Sequence, residues 1–131
     1  MKKLIVAMFF VMVLPVSAHA YEFADNWTKT DTAWQATFLT LTTMDWIQTR
    51  WMVKQNFHWD GEYYHETNPI LGDYPNIKEV DTYMPLAMLA HTVVAMAIPD
   101  TTLRRIWQCV WIGVESASVY KNYSLGVRLE F

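Results

Sequence analysis

Three ionisable side chains stand alone inside otherwise apolar stretches of this sequence. Asp45, His91 and Glu115 lie one in each of the three long apolar stretches. If they met in a low-dielectric pocket, two carboxyl groups and an imidazole could bind a metal ion, relay protons or act as general acid and base. The alternatives are a hydrogen-bonded clamp that only fixes helix packing, or no contact at all. The three are therefore the candidate catalytic residues, with all of these alternatives open.

A second group of polar residues lies between the first and second apolar stretches. Its members are His58, Asp60, Glu62, His65, Glu66 and Asn68. Their spacing does not match a known metal motif such as H-E-x-x-H, and surface carboxylates in a solvated loop are the ordinary interpretation. Glu66 nevertheless joins the three candidates above as a possible ligand, so the candidate metal set is Asp45, Glu66, His91 and Glu115. A divalent metal could be bound there, although nothing in the sequence requires a cofactor.

Composition and motifs exclude several classes of function. Hydrophobic residues make up 53% of the chain and charged residues 18%, against about 25% charged in typical soluble domains. The net charge of -3 leaves no basic surface for a nucleic-acid partner. The single cysteine, Cys109, allows no internal disulfide. Because G-x-S-x-G, C-x-x-C and phosphate-loop motifs are missing, a familiar hydrolase or nucleotide enzyme is disfavoured and no enzyme activity is established.

The first twenty residues have the organisation of a secretory signal peptide. Lys2 and Lys3 precede the apolar run from Leu4 to Val13, and Ala18-x-Ala20 offers a cleavage site. The alternative is an uncleaved anchor helix. We expect cleavage after Ala20, which leaves residues 21–131 as one domain of the bacterial cell envelope. The inner membrane is the expected location, and the outer membrane and the periplasm are the alternatives.

The mature chain predicts three helices. After a short polar leader, Tyr21–Asp31, a T-x-x-Q capping box at Thr32–Gln35 predicts the start of the first helix, which runs to about Phe57. A cap at Asn76 starts the second, and Pro99 ends it. Asp100 or Thr101 caps the third, which extends through Val119. The intervening residues 56–75 are rich in turn signals and aromatic residues, and they predict an ordered loop.

These elements favour a membrane bundle. A bilayer span needs about 20 mostly apolar residues, and ionisable groups within spans must face one another inside the bundle. Tryptophans near the helix ends resemble interfacial belts. The tail 123–131 alternates apolar and polar residues, which predicts a strand. The predicted fold class is therefore all-α: a three-helix membrane bundle with a structured loop after helix one and a strand-like C-terminal tail.

Several segments together resemble a group of small uncharacterised proteins of bacteria and their prophages. They are Met44–Arg50, Tyr64–Gly72, the helix around His91, and Asn122–Arg128. The most specific part is E-x-N-P-I-L-G, from Glu66 to Gly72. The resemblance covers most of the mature chain.

What the resemblance implies is a helical membrane protein with an aspartate in its first helix and no assigned activity. It also raises the expectation that four residues act as one site, namely Asp45, Glu66, Asn68 and His91.

The sequence thus predicts a small integral envelope protein that binds or scaffolds rather than catalyses, of prophage or bacterial origin. Its expected partners are membrane lipid and another envelope protein, and its oligomeric state is open. One alternative is a membrane enzyme, or a metal or proton site, built on Asp45, His91 and Glu115. A second alternative is a soluble periplasmic helical module.

Overall fold

The computed structural model describes residues 23–130, so the predicted signal peptide and its cleavage site lie outside the described residues. Three helices account for most of this range: α1, Lys29–Lys54; α2, Ile77–Ala97; and α3, Thr101–Ser124. Two short strands, β1 His58–Trp59 and β2 Glu62–Tyr63, form a small antiparallel hairpin between α1 and α2. The all-α prediction is confirmed at this level.

Helix α1 begins four residues earlier than its predicted capping box. Thr28 is the N-cap, and its side chain accepts from the backbone N–H of Asp31 while the Asp31 carboxylate accepts from the Thr28 N–H. This capping box satisfies two of the N–H groups that a helix start leaves without partners. The prediction of a leader reaching Asp31 was therefore wrong, because residues 29–31 form the first helical turn and Asp31 is buried.

The caps of the other two helices are confirmed. Asn76 caps α2 through the N–H of Glu79, whose carboxylate returns to the Asn76 N–H. Asp100 caps α3 through the N–H of Leu103. Pro85 lies inside α2, and α3 extends beyond Val119 to Ser124.

Helix α1 is the centre of the bundle. Both α2 and α3 pack along it, but they pack only lightly on each other. The start of α1 lies beside the end of α2, where the Ala24 N–H donates to the Met96 carbonyl. It also lies beside the start of α3, where Arg104 pairs with Asp31. α1 and α3 are therefore parallel, and α2 runs antiparallel to both.

The loop after α1 is ordered, as predicted, and carries a small apolar core. That core consists of Trp51, Met52, Phe57, Trp59 and Val127. The Trp59 indole N–H donates to the Leu125 carbonyl over 2.8 Å, and the ring stacks on Tyr64. The hairpin is thereby attached to the end of α3.

The predicted C-terminal strand was wrong, since no strand is found within residues 123–130. Tyr123 and Ser124 are the last helical residues, and Gly126 follows in the left-handed region at φ 78°. The Val127 N–H donates to the Asn122 carbonyl, and the Gly126 N–H donates to the Tyr123 carbonyl. This pair of bonds is a Schellman motif, which favours glycine at the left-handed position. The sequence alternation therefore reflects the last turn of a helix and its cap.

One helix of residues 23–130, Ile77–Ala97, is long and apolar enough to cross a bilayer. It also carries large apolar side chains that face outward, including Leu86, Leu89 and Val93. Helix α3 has a similar exposed row, which consists of Leu103, Ile106, Val110 and Val114. The outer surfaces of α2 and α3 thus each carry a row of apolar side chains.

Candidate functional site

A cavity of about 530 Å³ lies where α2 and α3 diverge. α1 forms its floor through Phe38, Thr42 and Asp45, and residues 66–70 of the loop close one end. Two of its lining side chains, Leu86 on α2 and Val114 on α3, are about half exposed on the outer surface, at 57% and 48%. The cavity is therefore bordered by the apolar outer faces of both helices.

All four candidate site residues line this cavity. Asp45 comes from α1, His91 from α2, Glu115 from α3 and Glu66 from the loop. Helical periodicity explains the convergence, because each helix turns the face that carries its ionisable residue toward the cavity. Asn68, which the resemblance added to the site, also lines the cavity.

The loop end of the cavity is acidic. Asp45 accepts a hydrogen bond of 3.0 Å from the Asn122 amide, and it lies within electrostatic range of both Glu66 and Glu115. Glu66 accepts from the backbone N–H groups of Thr67 and Asn68, each over 2.8 Å. Three carboxyl groups thus share one end of the cavity, held in place by the surrounding loop and helices.

The opposite end of the cavity is aromatic. The His91 ring stacks on Phe38 with 3.7 Å between ring centroids. Trp107 lies on His91 at 5.4 Å, and Trp111 meets both rings edge-on. The cavity therefore has a polar end and an aromatic end, which is the division that an amphiphilic molecule also has.

A buried hydrogen-bond chain fixes the protonation of the His91 ring. The Gln108 amide donates to Gln35 Oε1 over 3.4 Å, and the Gln35 amide donates to the Thr92 hydroxyl and to His91 Nδ1. The Thr92 hydroxyl in turn donates to the Met88 carbonyl, so it must accept from Gln35. His91 Nδ1 is therefore an acceptor, and the ring proton resides on Nε2.

Two polar atoms at the cavity are left without a partner. His91 is 4% exposed, yet its Nε2 has no hydrogen bond. Glu115 lies beside the Thr42 hydroxyl, but its Oε2 is buried without a partner. A buried polar group that lacks a partner costs about 1–3 kcal/mol, and such groups in native proteins call for an explanation.

A different polar cluster joins the helices beyond the aromatic end. Arg104, which is fully buried, donates to Asp31 Oδ2 and to the carbonyls of Asp25, Asn26 and Ile98. Burial alone would raise the pKa of Asp31, but hydrogen bonds from Thr28 and Arg104 lower it below its usual value of 3.8. This cluster was missed in the sequence because the first helix was expected to begin after Asp31.

Among residues 23–130, no group of three or more His, Cys, Asp or Glu side chains is arranged so that it could hold a metal ion. Asp45, His91 and Glu115 instead have separate hydrogen-bond neighbours on other helices: Asn122, Gln35 and Thr42. The shared feature of the candidates is therefore the cavity that they line.

Several residues of the site were not singled out by the sequence. Phe38, Thr42, Tyr83 and Trp107 all line the cavity. Trp111 and Ser118 could be found, because they share a helical face with Glu115 at spacings of three and four residues. The other four residues can be assigned to the cavity only when the rotation of each helix about its axis is known.

No protein-family model matches this chain, and neither the curated proteins nor the solved structures include a significant match.

Proposed function

We propose that the protein is an integral membrane bundle of the bacterial envelope that binds an amphiphilic molecule in the cavity between α2 and α3. The observation that carries the proposal is the cavity itself, which joins an acidic end and an aromatic end and borders the apolar outer faces of two helices. The role is binding rather than catalysis, as the sequence predicts.

The distribution of charge supports insertion of all three helices. No charged residue occurs in 32–44 of α1 or in 82–99, which covers most of α2, and Glu115 is alone within 106–120 of α3. At a rise of about 1.5 Å per residue, these stretches are roughly 20–27 Å long, shorter than the apolar core of a bilayer at about 30 Å. Lysine and arginine side chains near helix ends can extend to the interface and so make up part of the difference. Glu115 lines the cavity. The outward surface over this depth is therefore uncharged.

The threonines of α1 fit the same environment. The hydroxyls of Thr37, Thr40 and Thr43 are exposed, and each donates to the carbonyl four residues earlier. A hydroxyl that bonds to its own helix does not need water, so it can face lipid at low cost. The exposed surface of α1 is thus compatible with a bilayer despite its polar composition.

Charged side chains gather at the two ends of the bundle. Lys29, Asp100 and Arg105 lie at the end where α1 begins. Lys54, Lys78 and Lys121 lie at the end that carries the hairpin. In an inserted bundle, such a division would put both sets in the polar interfaces on either side of the membrane.

The cavity would then open sideways into lipid. A molecule diffusing in the bilayer could enter between Leu86 and Val114 without crossing water. Its apolar part would contact the aromatic end and its polar group would reach the carboxyl end. The E-x-N-P-I-L-G loop, which carries the resemblance to small bacterial and prophage proteins, supplies Glu66 and Asn68 to that end.

Fractionation tests the membrane part of the proposal. The tagged full-length protein should remain in the inner-membrane fraction after a carbonate wash. Release by the wash would contradict insertion and favour the soluble periplasmic alternative, and recovery in the outer membrane would contradict the inner-membrane location.

Binding is tested with an amphiphile that quenches tryptophan fluorescence. The purified protein in zwitterionic lipid nanodiscs is titrated with a monoacylglycerol brominated on its acyl chain. We expect saturable quenching, because the bromine would come close to Trp107 and Trp111. Ala90→Phe, which fills the cavity from its lining, should abolish the saturable component. Leu89→Phe, on the outer face of the same helix, is the matched control and should retain it; equal quenching of both variants would contradict the cavity as the binding site.

A further inference from the structure

Apart from His91, the ionisable side chains that line the cavity are acidic. Asp45, Glu66 and Glu115 contribute carboxyl groups, and no lysine or arginine is among the lining residues. Two arginines of the neighbouring helices have carboxylate partners outside the cavity, since Arg50 pairs with Asp81 and Arg104 pairs with Asp31. The network around Gln35 leaves the His91 ring neutral, so His91 does not balance the carboxyl groups either.

We propose that the cavity selects amphiphiles whose polar group is an organic ammonium cation. This inference rests on the proposed binding function and names the chemical class of the ligand.

Electrostatics favours a cation over a neutral or anionic group at this position. Carboxylates at low dielectric are stabilised by an opposite charge much more strongly than at a solvated surface. An anionic head group would meet three carboxyl groups and no compensating donor of positive charge. None of the residues that line the cavity is a lysine or an arginine, so a positive charge in the cavity would have to come from the ligand.

The aromatic residues favour the same class. Tyr83 lies at the acidic end of the cavity, beside Asn68 and the three carboxyl groups. Trp111 precedes Glu115 by one helical turn and also lines the cavity. Aromatic faces attract ammonium groups, and tryptophan is the most favourable of them. Carboxyl groups and aromatic rings together therefore resemble the cages that bind quaternary ammonium ions.

An independent observation indicates that this cavity is built for an occupant. His91 is nearly completely buried, lines the cavity and carries a proton on Nε2 that no protein atom accepts. The carboxyl oxygen Glu115 Oε2 is likewise without a partner. Asp31, Gln48 and Gln108 also have a buried oxygen without a hydrogen bond, but they do not line the cavity. Glu115 Oε2 differs from these oxygens because its residue borders space that a cation could fill.

The test compares three amphiphiles with the same brominated chain and different head groups: trimethylammonium, glycerol and sulfate. Each is titrated into the full protein in zwitterionic nanodiscs, and quenching is corrected for the probe partitioned into protein-free discs. The trimethylammonium probe should bind about tenfold or more tightly than the glycerol probe, and the sulfate probe least tightly. Asp45→Asn and Glu115→Gln should each remove about tenfold of the ammonium affinity while leaving the glycerol affinity nearly unchanged.

Glu62→Gln is the matched control, because Glu62 lies in the hairpin and not in the lining of the cavity. It should bind all three probes as the wild type does, and circular dichroism should show equal helix content in every variant. Equal affinity for the three head groups, or ammonium affinity unaffected by both carboxyl substitutions, would overturn the inference while leaving the cavity as a binding site. Failure of all three probes to bind saturably would overturn the proposed function and the inference with it.

Discussion

Two regions of the bundle bury polar side chains, and they differ in how many of those polar atoms have hydrogen-bond partners. The Arg104 region places a full charge out of contact with water and surrounds it with Asp31, three carbonyl groups and the face of Trp27. In the second region, carboxyl groups and an imidazole line the cavity, and His91 Nε2 and Glu115 Oε2 have no hydrogen-bond partner.

The difference in hydrogen bonding distinguishes the Arg104 cluster, which joins the helices, from the residues that line the cavity. Arg104 donates hydrogen bonds to Asp31 of α1, to the carbonyls of Asp25 and Asn26 before α1, and to the Ile98 carbonyl between α2 and α3. The residue therefore fixes how the three helices meet. The cavity residues also bond across helices, as Asp45 does with Asn122, but their bonding is incomplete. The clamp has one unsatisfied atom of its own, Asp31 Oδ1, which lies 3.7 Å from Arg105 Nε and does not border the cavity. The contrast is therefore that the unsatisfied residues of the second region line a cavity and those of the clamp do not.

The largest expected effect is at the clamp. Arg104→Met leaves the Asp31 carboxylate and several carbonyls buried without their donor, and breaking a buried ion pair in this way costs about 3–5 kcal/mol. Thermal unfolding of the detergent-solubilised protein, followed by circular dichroism, should show a large loss of stability. Arg128→Met is the control, because its ion pair with Glu130 is exposed, and it should melt like the wild type. A stable Arg104→Met variant would show that the cluster is not what holds the helix ends together.

The cavity should respond in the opposite sense. Glu115→Gln keeps the shape of the side chain and removes a group that is expensive to charge at low dielectric. We expect unfolding stability equal to the wild type or higher by up to about 1 kcal/mol, measured by the same thermal unfolding. A loss as large as that of Arg104→Met would mean that Glu115 is a structural residue and would remove the contrast between the two regions.

The smallest expected effect is the acid dependence of the clamp. The pKa of Asp31 is lower in the folded state than its usual 3.8, so its contribution to stability is fully present above that value. The contribution is lost as the pH falls through the folded-state pKa, because the protonated carboxyl no longer pairs with Arg104. Melting temperatures from pH 6 to pH 3 should show this loss, and Asp31→Asn should be less stable at pH 6 with a flatter profile. An unchanged profile in Asp31→Asn would contradict the assignment.

Local signals in the sequence were sufficient for the number and order of helices. Asn76 and Asp100 cap α2 and α3 as their side-chain chemistry predicts. The start of α1 was missed because the Thr32–Gln35 pattern was taken as its cap, whereas the capping box lies at Thr28 and Asp31. Arg104, which is 73 residues away from Asp31, pairs with it there, and this contact is not visible in a local pattern.

The candidate site was predictable in part for a related reason. Isolated ionisable groups on apolar helices must avoid the outer surface, so Asp45, His91 and Glu115 were expected to turn inward, and the structure brings them to one cavity. The stack of Phe38, His91 and Trp107 could not be predicted, because it depends on how each helix is rotated. The tail was misassigned because alternation over a few residues cannot distinguish a strand from a helix end followed by Gly126.

The bond from the Trp59 indole to the Leu125 carbonyl has a consequence for how the protein is made. Trp59 follows the first helix directly, but its partner is 66 residues further along the chain. During synthesis this bond can form only after α2 and α3 have been completed. The attachment of the hairpin to the end of α3 is therefore a late contact, and it joins the first helix's end to the last helix's end.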